Sequence, residues 1–256
     1  MTQRDVLIGH TGFVGSNLAT TGKYSALYNS RNIDGICGGS FRVVVCAGVS
    51  AKKWLANKEP QADRAGILAL TEPLKTIKAD LFVLISTVDV FAQSFGADEA
   101  TVPERAGLHP YGLHRLELED FVRERFTRVV VLRLPALFGP GLRKNVLYDL
   151  LHDNMLDVIN PDASFQWYPV KRLQADIDRA AAAGLSLVHL ATEPLSTRAI
   201  LDRCFPTKQV GAGGKAALYD LHTQHASVFR GSGPYLMRRD AVLTEIGHYV
   251  ESERVA

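Results

Sequence analysis

Val6-Leu7-Ile8-Gly9-His10-Thr11-Gly12-Phe13-Val14-Gly15-Ser16-Asn17-Leu18 is the stretch from which the rest of the chain is read. Its apolar triplet predicts a strand buried on both faces. The glycines predict a tight turn, and Ser16-Asn17-Leu18 the opening of a helix. Strand, glycine turn and helix in that order cradle a dinucleotide pyrophosphate, because backbone N–H groups and the positive helix end face the phosphates. Glycine is needed where a Cβ would block the turn, the phosphate or the packing of helix on strand. The spacing is G-x-x-G-x-x-G, a partial match to the strict G-x-G-x-x-G fingerprint. A turn without a ligand is the plainer reading. Gly9, Thr11, Gly12, Phe13, Val14 and Gly15 are the candidate cofactor residues.

Outward from this stretch, apolar β-branched runs alternate with helix-period segments. That alternation predicts an α/β fold: a doubly wound parallel sheet of Rossmann type with helices on both faces. Strands are expected near Val6 to Gly9, Ala26 to Asn29, Arg42 to Ala47, Leu81 to Ser86, Arg128 to Leu134 and Ser186 to Ala191. Helices are expected after Gly12, around Gln61, Tyr111 and Asn145, and at Ser196, which supplies an N-cap. Val170 to Ala183 is alanine-rich and reads as helical. The span from Asn29 to Gly35 runs almost at once into the third strand, whereas a βαβ crossover needs about a dozen residues, so one strand–helix unit is trimmed here. Gly211-Ala212-Gly213-Gly214 and Gly231-Ser232-Gly233-Pro234 read as connectors.

Composition sets bounds. The chain has 256 residues, 46% of them hydrophobic and 22% charged, with a net charge of +2. It is long enough for a sizeable core and close to an average globular composition. The basic residues are scattered, which gives no footprint for nucleic acid. Cys37, Cys46 and Cys204 are odd in number and lack C-x-x-C spacing, so neither a disulfide framework nor a zinc or other metal site is expected. No apolar run approaches the ~20 residues of a membrane span. A cytoplasmic protein is the expectation. Trp54 and Trp167 read as packing residues.

Three further clusters follow the glycine turn. Ser86-Thr87 ends the run Leu81 to Ile85. Tyr111-Gly112-Leu113-His114-Arg115 follows His109-Pro110. Arg133-Leu134-Pro135-Ala136-Leu137-Phe138-Gly139-Pro140-Gly141 follows Val129 to Leu132. This ordered set resembles the extended short-chain dehydrogenase/reductase family of nucleotide-sugar epimerases, dehydratases and reductases. The likeness is strong over the first two-thirds of the chain and weak beyond. It implies a single NAD(P)-binding domain over 1–256, in which about 141–256 contributes a small C-terminal substrate lobe.

The resemblance implies a catalytic set of Thr87, Tyr111 and Arg115. Tyr111 and Arg115 are four apart and share a helix face. The family has lysine where this chain has Arg115, and that residue holds the nicotinamide ribose. Arginine keeps the charge but cannot release a proton. As a base at pH 7, Tyr111 would need its pKa lowered by ~3 units, about 4 kcal/mol. As an acid protonating a ketone oxygen it needs no such shift, which favours reduction. Thr87 would hydrogen-bond the substrate carbonyl. Val88 stands where the 4,6-dehydratases carry an acid, and Ala136 where some epimerases carry asparagine; both departures count against those activities. His114 reads as a partly exposed helix histidine.

Ala47, Gly48 and Val49 would pass close to the cofactor. The end of the second strand reads Asn29-Ser30-Arg31. Arg31 and Ser30 suit a 2′-phosphate, which favours NADP over NAD. Asp89, Lys144, Asn145 and Gln166 are the candidate substrate residues, with Arg143 and Arg172 as further cations for a diphosphate. The function expected is NAD(P)-dependent reduction of a keto nucleotide sugar. The alternatives are an epimerase with tightly bound NAD and a non-catalytic NAD(P) sensor or scaffold. A homodimer through the Tyr111 helix, by Leu113, Leu116 and Phe121, is possible by resemblance; the same residues also suit the buried stripe of a monomer.

Overall fold

A computed structural model describes residues 4–21, 23–93, 95–211 and 216–255. Ala212, Gly213 and Gly214 of the first expected glycine connector lie outside the described residues. In chain order the elements are β1 (Arg4–Ile8), α1 (Phe13–Ala19), β2 (Ala26–Tyr28), β3 (Ser40–Cys46), α2 (Lys53–Lys58), α3 (Pro60–Leu74), β4 (Lys78–Thr87), α4 (Pro110–Arg125) and β5 (Val129–Leu134). There follow β6 (Ala136–Phe138), α5 (Val146–Leu151), β7 (Ser164–Phe165), β8 (Trp167–Pro169), α6 (Leu173–Ala182), β9 (Leu187–His189), β10 (Leu195–Ser196), α7 (Thr197–Cys204) and α8 (Arg239–Val255).

The chain divides into two units. The first comprises Met1–Ala92, Val102–Arg133 and Leu173–Val188; the second comprises Gln93–Thr101, Leu134–Arg172 and His189–Ala256. A six-stranded sheet in the order β2-β1-β3-β4-β5-β9 organises the first. β1 pairs in parallel with β2 on one side and β3 on the other, and β3 pairs in parallel with β4. The winding direction therefore reverses at β1. Open α/β sheets bind ligands beyond the carboxyl ends of their strands at such a reversal. Val6, Leu7 and Ile8 are 0%, 0% and 1% exposed, as a strand covered on both faces requires. The β2–β3 connection holds one short 3₁₀ turn, Ile33–Ile36, in place of a crossover helix.

Local chemistry sets the helix starts. Pro60 opens α3 and Pro110 opens α4, where a missing N–H costs nothing. His109 caps α4, its Nδ1 accepting from the Gly112 N–H at 2.9 Å. Ser196 caps α7 as expected, its hydroxyl accepting from the Ala199 N–H.

α4 is buried without an apolar majority. Its Tyr111, Arg115 and Glu119 recur every four residues, so they form one polar stripe, and all three are buried. Glu119 accepts from Arg133 Nε at 3.0 Å and Nη2 at 2.6 Å, and from Ser86 Oγ at 2.5 Å. The Arg133 and Glu119 side chains are 1% and 0% exposed. This network ties α4 to β4 and β5. Leu116 lies in the core, Phe121 packs against it, and Leu113 is half-buried.

The second unit has its own core around Phe138, Leu147, Trp167, Leu195, Ile200 and Ile246. Two small sheets, β6 with β8 and β7 with β10, frame it. Glu99 fastens the 93–101 segment within this unit, accepting from the His189 N–H at 2.8 Å and the Thr223 hydroxyl at 2.6 Å. Among the described residues no helix is long and apolar enough to cross a membrane.

Removing one partner of a buried charge pair strands the other in low dielectric. Glu119→Ala should cost about 3–5 kcal/mol of stability, read by urea unfolding, whereas removal of the exposed Lys75–Glu72 pair should cost less than about 1 kcal/mol.

Candidate functional site in the first unit

The glycine turn is built by close backbone approach. Gly9 has φ +90°, and a Cβ there would fall on the Ala47 carbonyl. A Cβ on Gly15 would fall on the carbonyl of Gly9, so α1 can lie this near β1 only without a side chain. The Gly9 N–H donates to the Tyr28 carbonyl at 2.7 Å and the Gly12 N–H to the Gly9 carbonyl at 3.0 Å. No side chain caps α1 at Gly12. Thr11 and Gly12 are exposed and Phe13 and Val14 half-buried. Ala47, Gly48 and Val49 follow β3 directly beside this turn, with the Ala47 N–H bonded to the Ile8 carbonyl at 2.9 Å.

Beyond β2, Asn29 is committed to shaping its own loop. Its Oδ1 accepts from the Arg31 N–H at 2.8 Å, and its N–H donates to Asn32 Oδ1 at 2.7 Å. Ser30 and Arg31 are exposed. His10, which the sequence reading passed over, lies over this end of β2, its Nδ1 3.0 Å from the Tyr28 carbonyl.

The second cluster sits at the end of β4. Ser86 and Thr87 differ sharply in role. The Ser86 hydroxyl is buried against Glu119, while the Thr87 hydroxyl accepts from the Asp89 N–H at 3.1 Å and is near enough to Tyr111 to act on its pKa. A Cβ on Gly112 would fall on the Asp89 carbonyl, so glycine lets the start of α4 approach this turn. Asn57 of α2 accepts from the Tyr111 N–H at 3.0 Å. Lys53, also of α2 and absent from the sequence reading, pairs with Asp89 Oδ1 at 2.8 Å. Burial chiefly raises the Tyr111 pKa above its ordinary value; Asp89 and Asp63 add to this, while Arg115 and Thr87 oppose it. Tyr111 is therefore a phenol at neutral pH. Burial and the nearby Lys53 charge push His109 below its ordinary value, which keeps it neutral.

Arg115 does not project freely toward a ligand. Its Nη1 donates to Asp63 and to the Tyr111 carbonyl at 3.2 Å; its Nη2 donates to the Ser50 carbonyl at 2.6 Å and to Asp63 Oδ1 at 2.9 Å. Its carbon Cζ lies 3.9 Å from the Tyr111 ring centroid, over the ring face. All four terminal N–H groups are thus spent on protein acceptors, and a ribose could gain one only by displacing it.

Two expectations are corrected here. His114 is buried rather than partly exposed, because Nδ1 sits 2.8 Å from Asp63 Oδ2. Trp54 is 64% exposed rather than packed; it follows Lys53 on α2, whose buried residue is Ala56.

In the second unit, Lys144 and Arg143 are exposed after the Gly139–Gly141 turn. Asn145 caps α5, accepting from the Leu147 and Tyr148 N–H groups at 3.0 and 3.2 Å. The buried Gln166 amide donates to the Thr192 and Leu221 carbonyls at 2.6 and 2.8 Å and accepts from the Leu221 N–H at 2.8 Å. Both side chains hold local structure. Arg172 is half-buried at the start of α6. Trp167 is 1% exposed and packs in the core. Among the described residues no group of three or more His, Cys, Asp or Glu is placed to hold a metal ion.

No family model and no curated protein matches this chain. Solved structures do. MoeE5 in complex with UDP-glucuronic acid and NAD is 16% identical, with a TM-score of 0.78 over 99% of this chain and 100% of that one. dTDP-4-dehydrorhamnose reductase from Yersinia enterocolitica is 17% identical, with a TM-score of 0.74 over 98% and 99% of the two chains. UDP-glucose 4-epimerase from Thermotoga maritima, with UDP-glucose, is 16% identical, with a TM-score of 0.72 over 98% of each. At these identities the likeness shows a shared fold across nearly the whole chain.

The turn makes a sharp prediction. Gly15→Ala should destabilise the protein by roughly 1–3 kcal/mol, as overpacking against backbone does, whereas Gly66→Ala should be neutral or stabilising because nothing lies within 4 Å of its Cβ position. Thermal melts of the two variants check this.

Proposed function

We propose that this chain is an NAD(P)-dependent reductase of a keto group on a nucleotide-activated sugar, with NADPH as the preferred donor. The observation that carries the reading is the buried Tyr111, a phenol at neutral pH, facing Thr87 at the carboxyl end of β4 with Arg115 over its ring. At the carboxyl end of β1, in the same sheet, lies a turn that Gly9 and Gly15 keep open.

The residues present fit a dinucleotide. The backbone of Gly9 to Gly15 would hold the pyrophosphate and Ala47 to Val49 would flank the adenosine side. Arg31 and Ser30, exposed past β2, would meet a 2′-phosphate. A dinucleotide bound there would supply the hydride. The chain's own residues handle the carbonyl oxygen: Thr87 and Tyr111 hold it through their hydroxyls, and Tyr111 donates its proton as the carbon is reduced. Arg115, fixed over the ring face, stabilises the tyrosinate that remains. Solvent restores the proton, since arginine cannot. Among the substrate candidates, Asp89 borders this group through its pair with Lys53. UDP and dTDP sugars are the substrate class in the names of the similar structures.

Epimerisation and oxidation need Tyr111 as a base, which its raised pKa opposes. An epimerase would hold NAD and consume no NADPH; a sensor or scaffold would bind cofactor without turnover.

Tyr111→Phe should lower NADPH-dependent reduction of a keto nucleotide sugar by at least ~10²-fold while leaving NADPH affinity unchanged; retained activity removes Tyr111 from the mechanism. The pH dependence follows in sign. The active form is the phenol, and its pKa lies above the ordinary ~10. Loss of the Tyr111 proton should therefore not limit reduction between about pH 7 and 9, as a rate profile at saturating substrate would show.

A further inference from the structure

The site holds more fixed charge than the proposed chemistry uses. Arg115, Asp89, Asp63 and His109 lie about Tyr111, and Lys53 of α2 and His114 of α4 pair with the two carboxylates, Asp89 and Asp63. Two ion pairs organise them. Lys53 and Asp89 are 38% and 19% exposed, open to water and exchange. Arg115 and Asp63 are 5% and 7% exposed, and the carboxylate grips the guanidinium through both oxygens. His114 takes a further position on Oδ2.

We infer that Asp63 is a positioning residue: its carboxylate immobilises Arg115 over the Tyr111 ring and offsets part of its charge, so that the tyrosine keeps its proton until the carbonyl oxygen takes it. The inference rests on the reading of Tyr111 as proton donor. The physical argument is one of net charge at fixed geometry. An arginine alone, 3.9 Å from the ring centroid, would favour tyrosinate strongly in a site this dry. The carboxylate gripping it offsets part of that field at the phenol and orients the guanidinium plane through a two-point contact. Burial then decides the proton's position in favour of the phenol. Asp63 remains ionised because the Arg115 and His114 bonds outweigh its own desolvation and hold its carboxyl below the usual range. The same arrangement explains why Arg115 has so little to offer a ligand: its role is electrostatic and it is held at a fixed distance.

The test needs neither cofactor nor substrate. The full chain, labelled with ¹³Cζ-tyrosine, is titrated by NMR, and the Tyr111 resonance is assigned by its loss in Tyr111→Phe. In Asp63→Asn the Tyr111 pKa should fall, because a less compensated cation now faces the ring. In Arg115→Met it should rise, and in the double variant it should lie between the two single variants. A merely structural Asp63 would not produce shifts of opposite sign. Shifts in the same direction, or an unchanged Tyr111 in both single variants, would overturn the inference. Should Asp63→Asn not fold, Arg115→Met and the double variant decide alone: an unmoved resonance in both overturns it, and a rise in the first that the second lessens supports it. Opposite shifts in a protein that reduces no keto sugar would retain the charge clamp and refute the proposed reaction. Turnover with unmoved titrations would do the reverse.

Discussion

The buried pair between Glu119 and Arg133 is the constraint on which the site depends. Two desolvated charges persist in a core only when each is fully bonded, and here Ser86 and both guanidinium contacts fill the carboxylate. The pair fixes the rotation of α4 about its own axis. Because Tyr111, Arg115 and Glu119 recur at four-residue intervals, fixing the last of them fixes the facing of the other two. Arg115 is thereby delivered to Asp63, and Tyr111 to Thr87. Ser86, one residue before Thr87, belongs to the same network, so strand and helix are set in register by a single carboxylate.

This explains how a helix with little amphipathic character comes to be buried. Beside its buried Leu116, Leu118 and Val122, α4 is held by buried arginine–carboxylate pairs toward β5 and toward α3. Such a contact specifies direction more sharply than apolar packing does, since a slip of one residue would strand charges. At the other end of the site the constraint is steric. Gly9, Gly15 and Gly112 each occupy a place where a Cβ would meet backbone. Charge thus positions the reactive side chains, and missing side chains create the space beside them.

What the sequence disclosed and what it withheld follow the same division. The β1–turn–α1 segment was legible because strand, glycines and helix are consecutive and their logic is local. The trimmed connection after Tyr28 and the Ser196 cap were legible for the same reason. Thr87 was legible through likeness to a family; what takes its neighbour Ser86 out of the site is Glu119, 33 residues beyond it. Asp63 went unread because its partners are 51 and 52 residues away on another helix. So did Lys53, which lies on the short α2 that no periodicity announced. His114 looked like a surface histidine because a four-residue face cannot say what packs against it. Helix α8 and the small sheets of the second unit were missed as well; their strands run two or three residues, too short to show alternation.

The measurement that bears most directly on the whole account is transfer of an isotopic label. The protein is incubated with NADPH deuterated at the transferring C4 position and a nucleoside diphosphate keto sugar, and the product is read by mass spectrometry and NMR. The account predicts one deuterium on the former carbonyl carbon for each NADPH oxidised. Interconversion of sugar epimers without net oxidation of cofactor, or bound cofactor that never yields its label to any keto sugar, would contradict it.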